Sequence, residues 1–164
     1  YLDPFQNETG GDGIGDSAYM VTSLTTPPEL KQFDRYPLMG MFSDLNATSE
    51  YHVQTICNST ISDFQFNGTA IRFNVSGGDT AGFCRISVPR ALMNETYHVF
   101  VNSTEIQYDL LPCSNRTHSC LYFTYEHSTK EVVIIPDYPS FLIPPLFMMV
   151  TLVAIIVIVR KRKP

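Results

Sequence analysis

The chain has 164 residues, 44% of them hydrophobic and 16% charged, with a net charge of −5. That is room for one domain with flanking segments, and it is too apolar for a disordered chain. Seven cations against all sixteen carboxylates leave residues 1–137 at −9, an acidic balance that argues against nucleic acid as a partner.

Residues 1–42 are rich in Gly and Pro and show little periodicity. Within them, Glu8 to Asp16 approximates a calcium loop of the form D-x-D-x-D-G-x-x-D. Glu8, Asp12, Gly13 and Asp16 fit it, while Gly10 stands in place of the second acidic ligand and Tyr19 in place of the final Glu. Ca²⁺ is therefore the candidate ion, and a turn-rich cap without metal is the simpler reading. Residues 43–49 read as a linker.

Residues 50–135 read as one all-β domain. Candidate strands are Tyr51–Cys57, Ser59–Phe66, Ala70–Val75, Gly82–Val88, Tyr97–Val101, Glu105–Leu111, Cys120–His127 and Glu131–Ile135. Ile71, Phe73 and Val75 alternate with Arg72, Asn74 and Ser76, which is the period of a half-buried strand. Cys84, Ile86 and Val88 alternate with Phe83, Arg85 and Ser87, and Leu121, Phe123 and Tyr125 with Tyr122, Thr124 and Glu126. Asn67-Gly68 and Asn102-Ser103 stand where hairpin turns are needed. Pro89 to Met93 could form a single helical turn. Strands at this spacing predict an antiparallel sandwich of immunoglobulin-like type, without the Trp of antibody domains.

Cys57, Cys84, Cys113 and Cys120 all fall in this domain. An even number in an exported chain predicts two disulfides, for which three pairings exist. Cys113 and Cys120 flank the polar loop SNRTHS, which predicts Cys113–Cys120 and leaves Cys57–Cys84. No C-x2-C pair or H-x3-H spacing supports zinc.

After a short stalk, 136–140, residues 141–159 carry no charge and Arg160, Lys161, Arg162 and Lys163 follow at once. Nineteen uncharged residues, nearly all apolar, meet the requirement for spanning a hydrocarbon core of about 30 Å. A basic flank marks the cytoplasmic side, so 160–164 is a cytoplasmic tail, membrane lipid is a partner, and the bulk of the chain lies outside.

Asparagine distribution agrees with that topology. All eight asparagines, Asn7, Asn46, Asn58, Asn67, Asn74, Asn94, Asn102 and Asn115, begin an N-x-[ST] sequon without Pro at the middle position. Ser and Thr make up 28 of the 164 residues. One chance match then has odds of about one in six, and eight have roughly one in a million, far from the false-positive risk of a lone match. Asn is kept where it carries N-linked glycan, which requires export and exposure. Asn67, Asn102 and Asn115 on turns, and Asn74 on the polar side of its strand, are the expected occupied sites.

Asp12-Gly13-Ile14-Gly15-Asp16 with Tyr19, and then Asp34, Tyr36, Pro37 and Leu38, resemble the closing segment of NosD-type right-handed parallel β-helix proteins. The stretches GFCRISVPRALM and LYFTYEHSTKEVVIIP are similar to a β-sandwich module that follows such β-helices in archaeal surface proteins. The tail IPDYPSFLI resembles their C-terminal sorting and anchor segment, usually PEFPSFLI, with Asp137-Tyr138 in place of Glu-Phe. The resemblance implies a β-helix end cap over 1–42, a sandwich and one C-terminal transmembrane helix, together forming the C-terminal portion of a larger surface glycoprotein. Surface-layer or filament subunits become candidate partners.

Nothing in the sequence points to catalysis. His52, His98, His118 and His127 are scattered, and no H-E-x-x-H, G-x-S-x-G or P-loop is present. The acidic pairs Glu126/Glu131 and Glu105/Asp109 read as solvated surface charge, and Ser59 and Ser103 lie inside sequons rather than triads. The expectation is a structural or adhesive module at the cell surface that is not itself an enzyme. The alternative is the anchoring tail of a carbohydrate-active β-helix enzyme whose active site lies upstream.

Overall fold

The computed structural model describes residues 11–22, 27, 30–78, 81–93 and 96–137. The predicted span 141–159, its basic tail, Glu8, Asn7 and Asn94 lie outside the described residues. Among the described residues no helix is long and apolar enough to cross a membrane.

The described chain is all-β and antiparallel. Its strands are β1 (Tyr19–Met20), β2 (Phe33–Asp34), β3 (Met41–Asn46), β4 (His52–Cys57), β5 (Thr60–Phe66) and β6 (Ile71–Ser76). They continue with β7 (Ala81–Pro89), β8 (Tyr97–Val101), β9 (Thr104–Ile106), β10 (Asp109–Leu110), β11 (His118–Glu126) and β12 (Lys130–Pro136). Two five-stranded sheets form, in the orders β10-β11-β7-β4-β3 and β5-β6-β12-β8-β9.

Alternation decides which side chains meet between the sheets. In the first sheet, Val53 and Cys57 of β4, Cys84, Ile86 and Val88 of β7, and Leu121, Phe123 and Tyr125 of β11 belong to the core. Ile71, Phe73, Val75, Val99, Val101, Val132 and Ile134 of the second sheet join the same cluster. Most of these positions are β-branched or aromatic, the types that fit a pleated surface buried on one side. A second, smaller cluster of Phe83, Leu111, Cys120 and Tyr122 lies on the opposite face of the first sheet. The N-terminal segment runs over that face: Met39 packs on the cluster, and a Cβ on Gly13 would meet the Phe83 ring.

Turn chemistry follows the sequence closely. Asn102 and Ser103 both have positive φ, 47° and 65°, as the two-residue hairpin turn between β8 and β9 requires. Gly68, with φ 90°, closes the β5–β6 hairpin. Pro89 to Met93 forms a single hydrogen-bonded turn, with Leu92 N and Met93 N both donating to Pro89 O, at 2.9 Å and 3.4 Å.

Two expectations are revised. Residues 41–46, placed across the cap and the linker, form the edge strand β3, in continuous register with β4 from Met41↔Cys57 to Asn46↔His52. The segment Glu105–Leu111, read as one strand, is two: β9 belongs to the second sheet and β10 to the first. The described part of 1–42 shows antiparallel pairing and no parallel coil. Tyr19↔Asp34 and Met20↔Phe33 form a two-stranded ladder, and Ile14 bridges Leu38. The two halves of the motif nevertheless meet, since Gly15 N donates to Pro37 O at 2.8 Å and Met39 N to Gly13 O at 3.0 Å.

Candidate functional site

The described sequons fall into two chemical groups. Asn67 and Asn115 are exposed and share one local structure. The Oδ1 of Asn67 accepts from Thr69 N (3.0 Å), Thr69 Oγ1 (3.0 Å) and Ala70 N (2.8 Å). The Oδ1 of Asn115 accepts from Thr117 N (2.8 Å), Thr117 Oγ1 (2.8 Å) and His118 N (3.0 Å). Side-chain carbonyls of Asn commonly close turns in this way. Here the sequon hydroxyl itself donates to the amide oxygen, and Nδ2 has no partner among the described residues. Asn46 and Asn102 are also exposed, the latter accepting from Glu131 N at 2.9 Å.

Asn58 and Asn74 differ because their Nδ2 groups are in use. Asn74 faces outward, as alternation predicts, and donates to Asp63 Oδ2 at 2.9 Å. Asn58 holds β7 at both ends of its amide: Nδ2 donates to Ala81 O at 3.0 Å and Oδ1 accepts from Phe83 N at 2.8 Å. In that tripeptide the sequon hydroxyl belongs to Thr60, while Ser59 is buried and engaged elsewhere.

The cysteines come together in the two expected pairs, on opposite faces of the first sheet. Cys57 and Cys84 are directly opposite across the β4–β7 ladder. Opposed residues have Cα atoms about 4.5–5.5 Å apart, inside the disulfide range of about 4.4–6.8 Å. On the outer face, Cys113 and Cys120 lie within hydrogen-bonding reach, and Arg85 Nη2 donates to Cys113 Sγ at 3.4 Å. All four are thiols in this structure. Burial, then the Cys113 hydrogen bond, pushes the Cys120 thiol up to about 11.

Cys57 sits in a polar chain within the core. Its Sγ lies 3.2 Å from Tyr125 Oη, which lies 2.7 Å from Ser59 Oγ, which lies 2.7 Å from His127 Nε2. Hydrogen bonding from Cys84 brings the Cys57 pKa down to about 6; burial opposes this, and Tyr125 and Ser59 reinforce it. Cys84, hydrogen-bonded to Cys57 and wholly buried, is pushed well above the usual thiol range. Burial, then the charge on Cys57, raises the Tyr125 phenol. Two glycines make room for the chain: a Cβ on Gly82 would strike the Tyr125 ring, and one on Gly77 the His127 ring. Beside Cys57 an open cavity of about 570 Å³ lies between Asp34–Met41 and Cys57–Thr60. The sequence indicated the inward faces of Cys57, Cys84 and Tyr125, but no spacing rule links Ser59 to residues more than sixty positions away.

The candidate calcium loop is only partly described. Asp12 Oδ1 accepts from Ile14 N at 2.9 Å, and its backbone carbonyl accepts from Arg85 Nη1 at 3.0 Å. Among the described residues no group of three His, Cys, Asp or Glu side chains could hold a metal.

His98 lies at the surface between two carboxylates. Its Nδ1 lies 2.6 Å from Glu105 Oε1 and its Nε2 3.7 Å from Asp137 Oδ1. The Glu105 hydrogen bond, more than any other contact, raises its pKa. A raised folded-state pKa means that the stabilisation is fully present below the unfolded value of about 6.5 and is lost as pH rises through the folded value. The melting temperature is therefore expected to fall across that window, and His98→Gln to flatten the fall. Identical pH–Tm curves for the two proteins would remove His98 as the cause.

No family model, curated protein or solved structure matches this chain.

Proposed function

We propose that this chain is a membrane-anchored, N-glycosylated module of an extracellular surface protein, structural or adhesive in role and not an enzyme. In this reading the segment before Met41 caps a right-handed parallel β-helix of the NosD type, the sandwich is a glycan-covered spacer of immunoglobulin-like kind, and 141–159 is the anchor. The observation that carries it is the asparagine distribution: every Asn begins a sequon, and the described ones at Asn46, Asn67, Asn102 and Asn115 are exposed. Antiparallel packing of two sheets supports the spacer role, because it sets turns at the ends of the strands, where a glycan displaces no core side chain.

Two measurements test the proposal. Glycopeptide mass spectrometry is expected to find Asn67, Asn102 and Asn115 most fully occupied and Asn58 least, since its amide is committed to β7. If Asn67, Asn74, Asn102 and Asn115 are all bare, the sequons are not kept for glycans. Membrane fractionation is expected to leave the chain in the pellet after alkaline carbonate, and deletion of 141–164 to release it. Carbonate release of the untruncated chain would end the anchored reading and leave the glycan result standing by itself.

A further inference from the structure

Three features converge on Cys57. The first is the cavity, which Cys57 lines together with Leu38, Met39, Gly40 and Met41. Cys57 is itself only 1% exposed, while Leu38 and Met41, which line the same cavity, are open to solvent. The second is Cys84, placed opposite in register and buried away from solvent. The third is the chain of hydroxyls from Tyr125 through Ser59 to His127, which leads from the core to a half-buried imidazole. A buried cysteine serving only to fill space is an inert small hydrophobe and needs no hydroxyl chain beside it.

We propose that Cys57 and Cys84 form a thiol–disulfide exchange centre, with Cys57 as the attacking sulfur, Cys84 as the resolving one, and Tyr125, Ser59 and His127 as the path for the proton. The co-reactant is a small aliphatic disulfide, RSSR, entering from the cavity. Cys57 gives up its proton along the hydroxyl chain, and its thiolate attacks one sulfur of RSSR. The RSSR bond breaks, RS⁻ leaves, and a Cys57–SR mixed disulfide forms. Cys84 then loses its proton and attacks the Cys57 sulfur, the Cys57–SR bond breaks, and the second RS⁻ leaves. The two released protons neutralise the two RS⁻, so two protein thiols and RSSR become one protein disulfide and two RSH. The order follows the chemistry of exchange: attack rate rises with the thiolate fraction, and the more acidic thiol of the pair is the one beside the cavity. The sandwich core is thereby closed covalently from outside, after the sheets have packed. This inference does not depend on glycans or on the anchor.

The test uses the reduced full chain and oxidised glutathione as the small disulfide. Quenched time points are mapped by peptide mass spectrometry. A glutathione adduct on Cys57 is expected before the Cys57–Cys84 cross-link, and in Cys84→Ala the adduct is expected to persist on Cys57. Iodoacetamide labelling of Cys57 against pH is expected to have its midpoint below the free-thiol value of about 8.5, and Tyr125→Phe is expected to raise that midpoint and slow labelling at neutral pH by on the order of tenfold. Ser59→Ala should shift it in the same direction and by less. Either of two results overturns the proposal: first adducts on Cys84 or Cys113 with Cys57 unreacted, or a Cys57 midpoint in the ordinary thiol range that Tyr125→Phe leaves unmoved. Should Cys84→Ala not fold, the wild-type time course alone decides the order of attack.

Discussion

Phe73→Ala is expected to destabilise the sandwich by about 3–5 kcal/mol, the usual cost of emptying a buried aromatic site. Phe73 is 1% exposed, lies opposite Val132 across the β6–β12 ladder, and stacks on Phe64 with ring centroids 6.5 Å apart. It therefore joins three strands of the second sheet to the shared core. A domain of this size has a total stability of about 5–15 kcal/mol, so a loss of that magnitude consumes a large part of it. Urea unfolding followed by tyrosine fluorescence measures it, and a loss under about 1 kcal/mol would mean that the site collapses around the smaller side chain, contrary to the packing described.

Oxidation of Cys57–Cys84 is expected to stabilise the protein by about 3 kcal/mol, within the usual 2–4 kcal/mol for a bridge closing a loop of this length. Cys113–Cys120 closes a much shorter loop and constrains the unfolded chain less, so its contribution is expected to be smaller. Comparing urea midpoints of oxidised wild type, Cys84→Ala, Cys120→Ala and the fully reduced protein separates the two. Equal midpoints for the oxidised and reduced wild type, with the bridges confirmed by peptide mapping, would show that they constrain nothing that matters to folding.

What the sequence disclosed follows the physical signals it contains. Strict alternation of apolar and polar residues placed β6, β7 and β11 and named their inward side chains, and Asn102-Ser103 announced its hairpin. The strand β3 went unseen because it is an edge: Met41 and Phe42 are exposed and Asp44 interrupts the pattern, so no buried face writes itself into the residues. The break between β9 and β10 was hidden because a chain crossing from one sheet to the other at Gln107-Tyr108 needs no Gly or Pro there. The polar loop between them suggested pairing Cys113 with Cys120, which left Cys57 and Cys84 by elimination; the structure sets those two opposite each other across β4 and β7. The hydroxyl chain was not legible, since it joins β11 to the corner between β4 and β5, and Ser59 had a sufficient local explanation as the middle residue of a sequon. Asn58 shows the same limit from the other side: its tripeptide reads as a glycan acceptor, but its amide is a brace across to β7.

The place of β12 bears on how this molecule is made. It is the last strand among the described residues, but it lies in the middle of its sheet, paired with β6 on one side and β8 on the other. Until residues 130–136 are synthesised, β5–β6 and β8–β9 are separate hairpins, each presenting an unpaired edge and half of an uncovered apolar face. Closing the sheet demands contacts between positions far apart in sequence, the slow kind of step that leaves a nascent chain exposed to aggregation. A ribosome stalled just before Lys130 would therefore hold every strand of the first sheet but only two loose ribbons of the second, and closure of the second sheet waits on residues 130–136.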